Sequence, residues 1–164
     1  MELMKEKLAA LDEKNKEIAK LKKSLLEESG KFFDEFRKDI FKSYPEITSF
    51  SWTQYTPYFN DGDSCTFSAN TDYITVNGDS IDDCKWYNEN NVTNWGTYDR
   101  NLKQYIGKVE VPNPNFDKRK AEATEIILDF LSKFDSDFYE SRFGDHVSIT
   151  VTADGIETDE YEHE

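Results

Sequence analysis

Residues 1–45, MELMKEKLAALDEKNKEIAKLKKSLLEESGKFFDEFRKDIFKSYP, hold the longest regular pattern in the chain and read as one long helix with two kinds of apolar stripe. Tyr44-Pro45 stops it near Lys42, because proline disfavours helical geometry in the residue before it. With Met1 at heptad position a, Leu8, Asn15 and Lys22 also take a, while Met4, Leu11, Ile18 and Leu25 take d. An asparagine at a single a position selects register and strand number in a coiled coil, at a cost in stability. In a parallel pair Asn15 faces its own copy, Lys7 faces Asp12 and Leu21 faces Leu26, so the pattern predicts a parallel dimer through Met4, Leu8, Leu11, Asn15, Ile18 and Leu25. Asp12/Lys16 and Glu17/Lys20 add favourable helical charge spacings. The same residues also fit a helix folded back on its own domain, with Asn15 and Lys22 at the wet edge. Beyond Glu28-Ser29-Gly30 the apolar residues turn aromatic, and Phe32, Phe33, Phe36, Ile40 and Phe41 form a stripe suited to a sheet.

The remainder reads as short strands and one or two helices. Ile47–Tyr55 is β-branched and aromatic, with Phe50 and Trp52 on one side and Ser51 and Thr53 on the other. Asn60-Asp61-Gly62-Asp63 turns the chain toward a strand at Cys65–Ser68, and Tyr73–Val76 is a third strand ended by Asn77-Gly78-Asp79. Residues 80–102 mix asparagines with large aromatics in neither period and read as a long ordered loop; Tyr105–Val111 reads as a strand. A helix follows over Asp117–Phe134, with Ala123, Ile126, Ile127, Phe130, Leu131 and Phe134 on its apolar face, and Phe138–Phe143 adds a further turn. Val147–Val151 and Ile156 onward make a last hairpin across Asp154-Gly155. The fold class is α+β, an antiparallel sheet with helices on one face, divided into a coiled-coil arm (1–30) and a globular domain (31–164).

Charge is unevenly spread over the 164 residues. The net charge is +1 over residues 1–43, −6 over 44–116 and −9 over 117–164, which together make the formal −14. An acidic domain repels phosphate backbones and anionic lipid, so nucleic acid and membrane are disfavoured and a basic protein surface is the expected partner. Two cysteines, Cys65 and Cys84, are too few for a disulfide framework and fit a reducing compartment. Charges interrupt the apolar positions of the leading residues, so neither a signal peptide nor a membrane span is read there, and the expected location is cytoplasmic. The Asn91-Val92-Thr93 sequon carries no weight in that setting.

No stretch forms a catalytic signature. Asp61, Asp63, Asp79, Asp82 and Asp83 have the spacing of turn residues rather than of a calcium loop, so no metal or cofactor is expected. Cys65 and His146 are the one conceivable thiol/imidazole pair, without a supporting motif, and His163 lies at the chain's end. The seven glycines are scattered, with no phosphate loop. The stretch Trp52-Thr-Gln-Tyr55-Thr-Pro-Tyr58-Phe59-Asn-Asp61-Gly-Asp63-Ser-Cys65-Thr-Phe67 resembles small proteins of tailed phages and bacteria in which an aromatic run leads into Asn-Asp-Gly-Asp. That resemblance implies a phage or bacterial origin and no activity.

The expectation is therefore a non-enzymatic, homo-oligomeric interaction protein of the phage accessory or anti-host type. It pairs through its arm and contacts a partner through loop aromatics Tyr58, Phe59, Trp86, Tyr87, Trp95 and Tyr98. Two other readings compete: an acidic nucleic-acid mimic that blocks a host enzyme's DNA cleft, and a nucleotide or small-ligand binder, or metal-dependent enzyme, using a cleft beside residues 80–102.

Overall fold

Helix α1 (Glu2–Ser43) runs unbroken through Gly30 in the computed structural model, which describes residues 2–59, 61–88 and 92–163. Met1 of the heptads, Asn60 of the first expected turn, Asn91 of the sequon and Glu164 of the acidic end lie outside the described residues. The helix buries one stripe only in its second half. Phe33, Ile40 and Phe41 are buried there, Leu26 and Phe36 are partly so, and Phe32, one residue off the stripe, is exposed. Phe32 is thus no part of the packed face, since successive residues point about 100° apart.

After Tyr44-Pro45 comes β1 (Ser49–Tyr55), the centre of a six-stranded antiparallel sheet. Its side chains alternate as expected, with Phe50, Trp52 and Gln54 turned inward. The expected strand at Cys65–Ser68 shrinks to β2 (Ser68–Ala69), paired with Tyr55 and Gln54. Next, β3 (Thr75–Val76) and β4 (Asp79–Ser80) form a tight hairpin in which Asn77 (φ 54°) and Gly78 (φ 86°) adopt the left-handed conformations of such a turn. The Asn77 amide also receives the Thr48 N–H at 2.7 Å and donates to the Glu46 carbonyl at 2.8 Å, fixing the approach to β1.

Residues 92–111 are not loop. They form β5 (Val92–Asn94), β6 (Thr97–Asp99), β7 (Gln104–Ile106) and β8 (Val109–Val111), with β5 paired to β8 and β6 to β7. Val92 pairs with Val111 and Thr97 with Ile106 in one continuous register, so the four strands make a single two-stranded ribbon interrupted at Gly96 and Gly107. Both glycines have positive φ, and a Cβ on Gly96 would lie 2.1 Å from the Ile106 carbonyl oxygen. The Asp99 carboxylate closes the tip by accepting from the Asn101 and Leu102 N–H groups.

Helices α2 (Lys118–Leu131) and α3 (Ser136–Phe143) are capped by Asp117 and Asp135, whose carboxylates accept first-turn N–H groups. On α2, Ala123, Ile127 and Leu131 are fully buried, whereas Ile126 stays 38% exposed and drops out of the expected face. Strands β9 (Val147–Thr152) and β10 (Ile156–Glu160) finish the sheet in the order β10-β9-β1-β3-β4. The register sets Val151 and Val76 on either side of Phe50, and Ile149 beside Trp52. Around Phe33 the rings of Trp52, Phe130, Phe134, Phe138 and Phe143 stand 5.6–6.2 Å away, centroid to centroid. Buried Gln54 is satisfied: it donates to the carbonyls of Tyr139 and Gly144 and accepts from the Trp52 indole, tying the end of α3 to the sheet.

Candidate interaction surfaces

Three surfaces carry side chains that the core does not use. The first is the arm. Met4, Leu8, Leu11, Ile18, Leu21 and Leu25 are 52–71% exposed along one helix, and Asn15 is exposed among them. The chain's own body leaves these leucines uncovered, so the fold-back alternative does not hold. Lys22, at heptad position a, leans away toward Asp137 of α3, 3.6 Å from its carboxylate.

The ribbon is the second. Trp95, Tyr98 and Tyr105 form an exposed aromatic group, with Tyr105 centred 5.4 Å from Trp95 and 5.0 Å from Tyr98, and Lys108 capping the Trp95 ring at 4.5 Å. Leu102, Ile106 and Val109 are also half exposed. Residues 92–111 hold Arg100, Lys103 and Lys108 against Asp99 and Glu110, a local +1 on an otherwise anionic chain. The exposed aromatics of the ribbon thus sit on a locally cationic segment rather than among the acidic residues expected around them. Tyr105 and Ile106, read as strand residues, and Leu102, read as loop, were not among the expected contact residues, because only strand pairing brings them beside Trp95 and Tyr98.

The third lies where β1 and β10 end and β9 begins, and it gathers both histidines. His146 Nδ1 and His163 Nε2 are 3.0 Å apart, with ring centroids 5.2 Å apart and planes within 8° of each other. Two ring radii of about 1.1 Å each added to a hydrogen bond of that length span the centroid distance, so the imidazoles lie edge to edge in hydrogen-bond contact, the tautomers deciding which nitrogen donates. Tyr58 lies parallel to both, and Tyr55 covers His163 at 3.8 Å. Asp145 stands 3.6 Å from the far nitrogen of His146. Burial works to raise the Asp145 carboxyl, but hydrogen bonds from Thr56 and His146 outweigh it and hold the pKa below the usual carboxylate range. Cys65, exposed in the loop before β2, is not the partner of His146.

The remaining expected contact residues divide. Phe59 is 76% exposed beside Tyr58. Trp86 and Tyr87 are half-buried against the core: the Trp86 indole donates to Asp79, and the Tyr87 hydroxyl to Glu125. Burial, followed by that carboxylate, pushes the Tyr87 phenol up to about 12. Beside them an open cleft of about 630 Å³ is lined by Asp82, Asp83, Tyr87 and Asn113. The Asn113 amide is already committed to the carbonyls of Lys85 and Asn88, so this side chain serves to hold the loop. Among the described residues no group of three or more His, Cys, Asp or Glu side chains converges as metal ligands, and no helix is long and apolar enough to cross a membrane.

Fold and surfaces together define an α+β domain with a projecting helical arm and a projecting β-ribbon. No protein-family model, curated protein or solved structure matches the chain, so its function is argued from these surfaces alone.

Proposed function

We propose that this chain is a non-enzymatic, self-associating interaction protein. Its arm binds a second copy, and its ribbon anchors a further protein, in the manner of an accessory or anti-host protein. The arm carries the argument: six large apolar residues in a row of helical turns, none more than half covered, form a surface that soluble helices leave open only when something else covers it. On the ribbon, Trp95, Tyr98 and Tyr105 supply rigid aromatic area of the kind that dominates interface energetics. The residues outside the ribbon sum to −15 against its +1, and that field steers a partner with a basic surface. Light scattering on the full chain from 1 to 100 μM, taken as roughly the range of ordinary association, tests the first half. A mass near twice 19.2 kDa is expected, and a monomer mass at every concentration overturns the proposal.

A further inference from the structure

Residues eighteen apart on a helix of about 3.6 residues per turn lie on one line, about five turns apart. By that spacing Asn15 lies in line with Phe33, Leu8 with Leu26, Ile18 with Phe36, and Met4 with Ile40 through Lys22. Phe33 is 0% exposed and Ile40 3%, while Leu26 and Phe36 pack against the core. The open stripe of the arm is therefore the upstream continuation of the very face on which the body sits. A parallel partner matched residue for residue would bring its helix axis within about 8–10 Å of that face all along α1. Below Leu26 this space is filled by the rings of Trp52, Phe130, Phe134, Phe138 and Phe143 around Phe33. An antiparallel partner meets a body only over the first turns of each arm, because most of its length lies opposite the open half of the helix.

We infer that two copies pair through their arms in antiparallel orientation, each arm ending against the other copy's body; this rests on the self-association proposed above. Antiparallel heptads set a against d, and the flanking charges choose between registers. With Leu8 across from Ile18, the flanks bring Lys14 onto Lys14 and Asp12 onto Asp12. With Leu8 across from Leu25, they bring Lys7 onto Glu28 at both ends and oppose no like charges. In the second register Asn15 stands across from Ile18 rather than from its own copy. Lys22 stands across from Leu11, with its ammonium already drawn aside to Asp137. Met4 arrives beside Ser29, at a cleft of about 240 Å³ walled by Leu25, Leu26, Phe134 and Phe138 where arm meets body. That cleft gives the incoming side chain an apolar seat.

Disulfide trapping in a Cys65→Ser/Cys84→Ser background tests the arrangement. Leu8→Cys on a tagged chain mixed with Leu25→Cys on an untagged one is expected to give the mixed cross-linked dimer, with neither variant cross-linking to itself. Self-linked Leu8→Cys dimers overturn the antiparallel order while leaving self-association intact, and a dominant Leu8→Cys/Ile18→Cys product overturns the register. A monomer mass for the unmodified chain instead defeats the self-association itself. A nitroxide at outward-facing Glu6 leaves the stripe native. Its two copies should stand about 30 Å apart along the axis (21 residues at about 1.5 Å each), and side-by-side labels refute the inference.

Discussion

Phe33→Ala is the sharpest test of how the body is held on its helix. The ring is fully buried, and five other aromatic rings pack on it from β1, α2, α3 and the segments that follow them. Truncating such a ring removes its transfer free energy and leaves a cavity that neighbours on three separate elements cannot close together, a loss of about 3–5 kcal/mol. Total stabilities of single domains run to about 5–15 kcal/mol, so the variant should fold but lose much of its margin. At a urea slope of about 2 kcal/mol/M the midpoint should fall by roughly 1.5–2.5 M. Urea unfolding followed by tryptophan fluorescence reads this, at one fixed protein concentration because self-association also contributes. Leu11→Ala, on the same helix but exposed, should leave the unfolding free energy of a dilute, monomeric sample within about 0.5 kcal/mol of the parent. A drop below about 0.5 M for Phe33→Ala would refute the claim that this ring is the keystone of the core.

Gly96→Ala should disorder the ribbon without unfolding the body, because its positive φ and the nearby Ile106 carbonyl leave no room for a Cβ. Amide exchange should rise about tenfold or more over residues 92–111 and stay unchanged in β1 and β9, for a local cost above about 1.4 kcal/mol. The depressed Asp145 carboxyl stabilises the fold fully above its unfolded pKa of about 3.9, and that contribution disappears as pH falls through the lower folded value. Asp145→Asn should therefore flatten the acid side of a stability-versus-pH curve, and an unchanged acid limb contradicts the assignment. Tyr87 shifts in the opposite sense: its folded pKa of about 12 exceeds the unfolded 10.0, so its contribution holds below pH 10.0 and fades as pH approaches about 12. Phenolate absorbance should contain a late component near that pH, and Tyr87→Phe should remove it.

What could be read from residue order follows where a side of an element is buried. The alternation of Phe50, Trp52 and Gln54 against Ser51 and Thr53 marks β1 because one face of it meets the core and the other does not. The helix start at Asp117 and the left-handed pair Asn77-Gly78 act over a few residues, so local sequence places them, whereas the Asp135 cap of a separate α3 emerges only from the structure. The ribbon at 92–111 is different. Both of its faces meet solvent, its strands pair mainly with each other, and little hydrophobic period results, which is why its first half reads as loop while Tyr105–Val111 reads as a lone strand. The meeting of His146 with His163 across β10 depends on hairpin register, and the packing of Trp86 and Tyr87 depends on a helix thirty residues further on.

By itself, then, the order of residues determined the long helix, its apolar stripe, the α+β class and the acidic balance, since each follows from local periodicity or from charge. The switch to aromatic residues after Gly30 also pointed the second half of the stripe toward the sheet. Tertiary structure alone decided the first half: its leucines fit equally a second copy or a fold-back on the body, and only the three-dimensional placement of the sheet and the last two helices leaves them uncovered by their own chain.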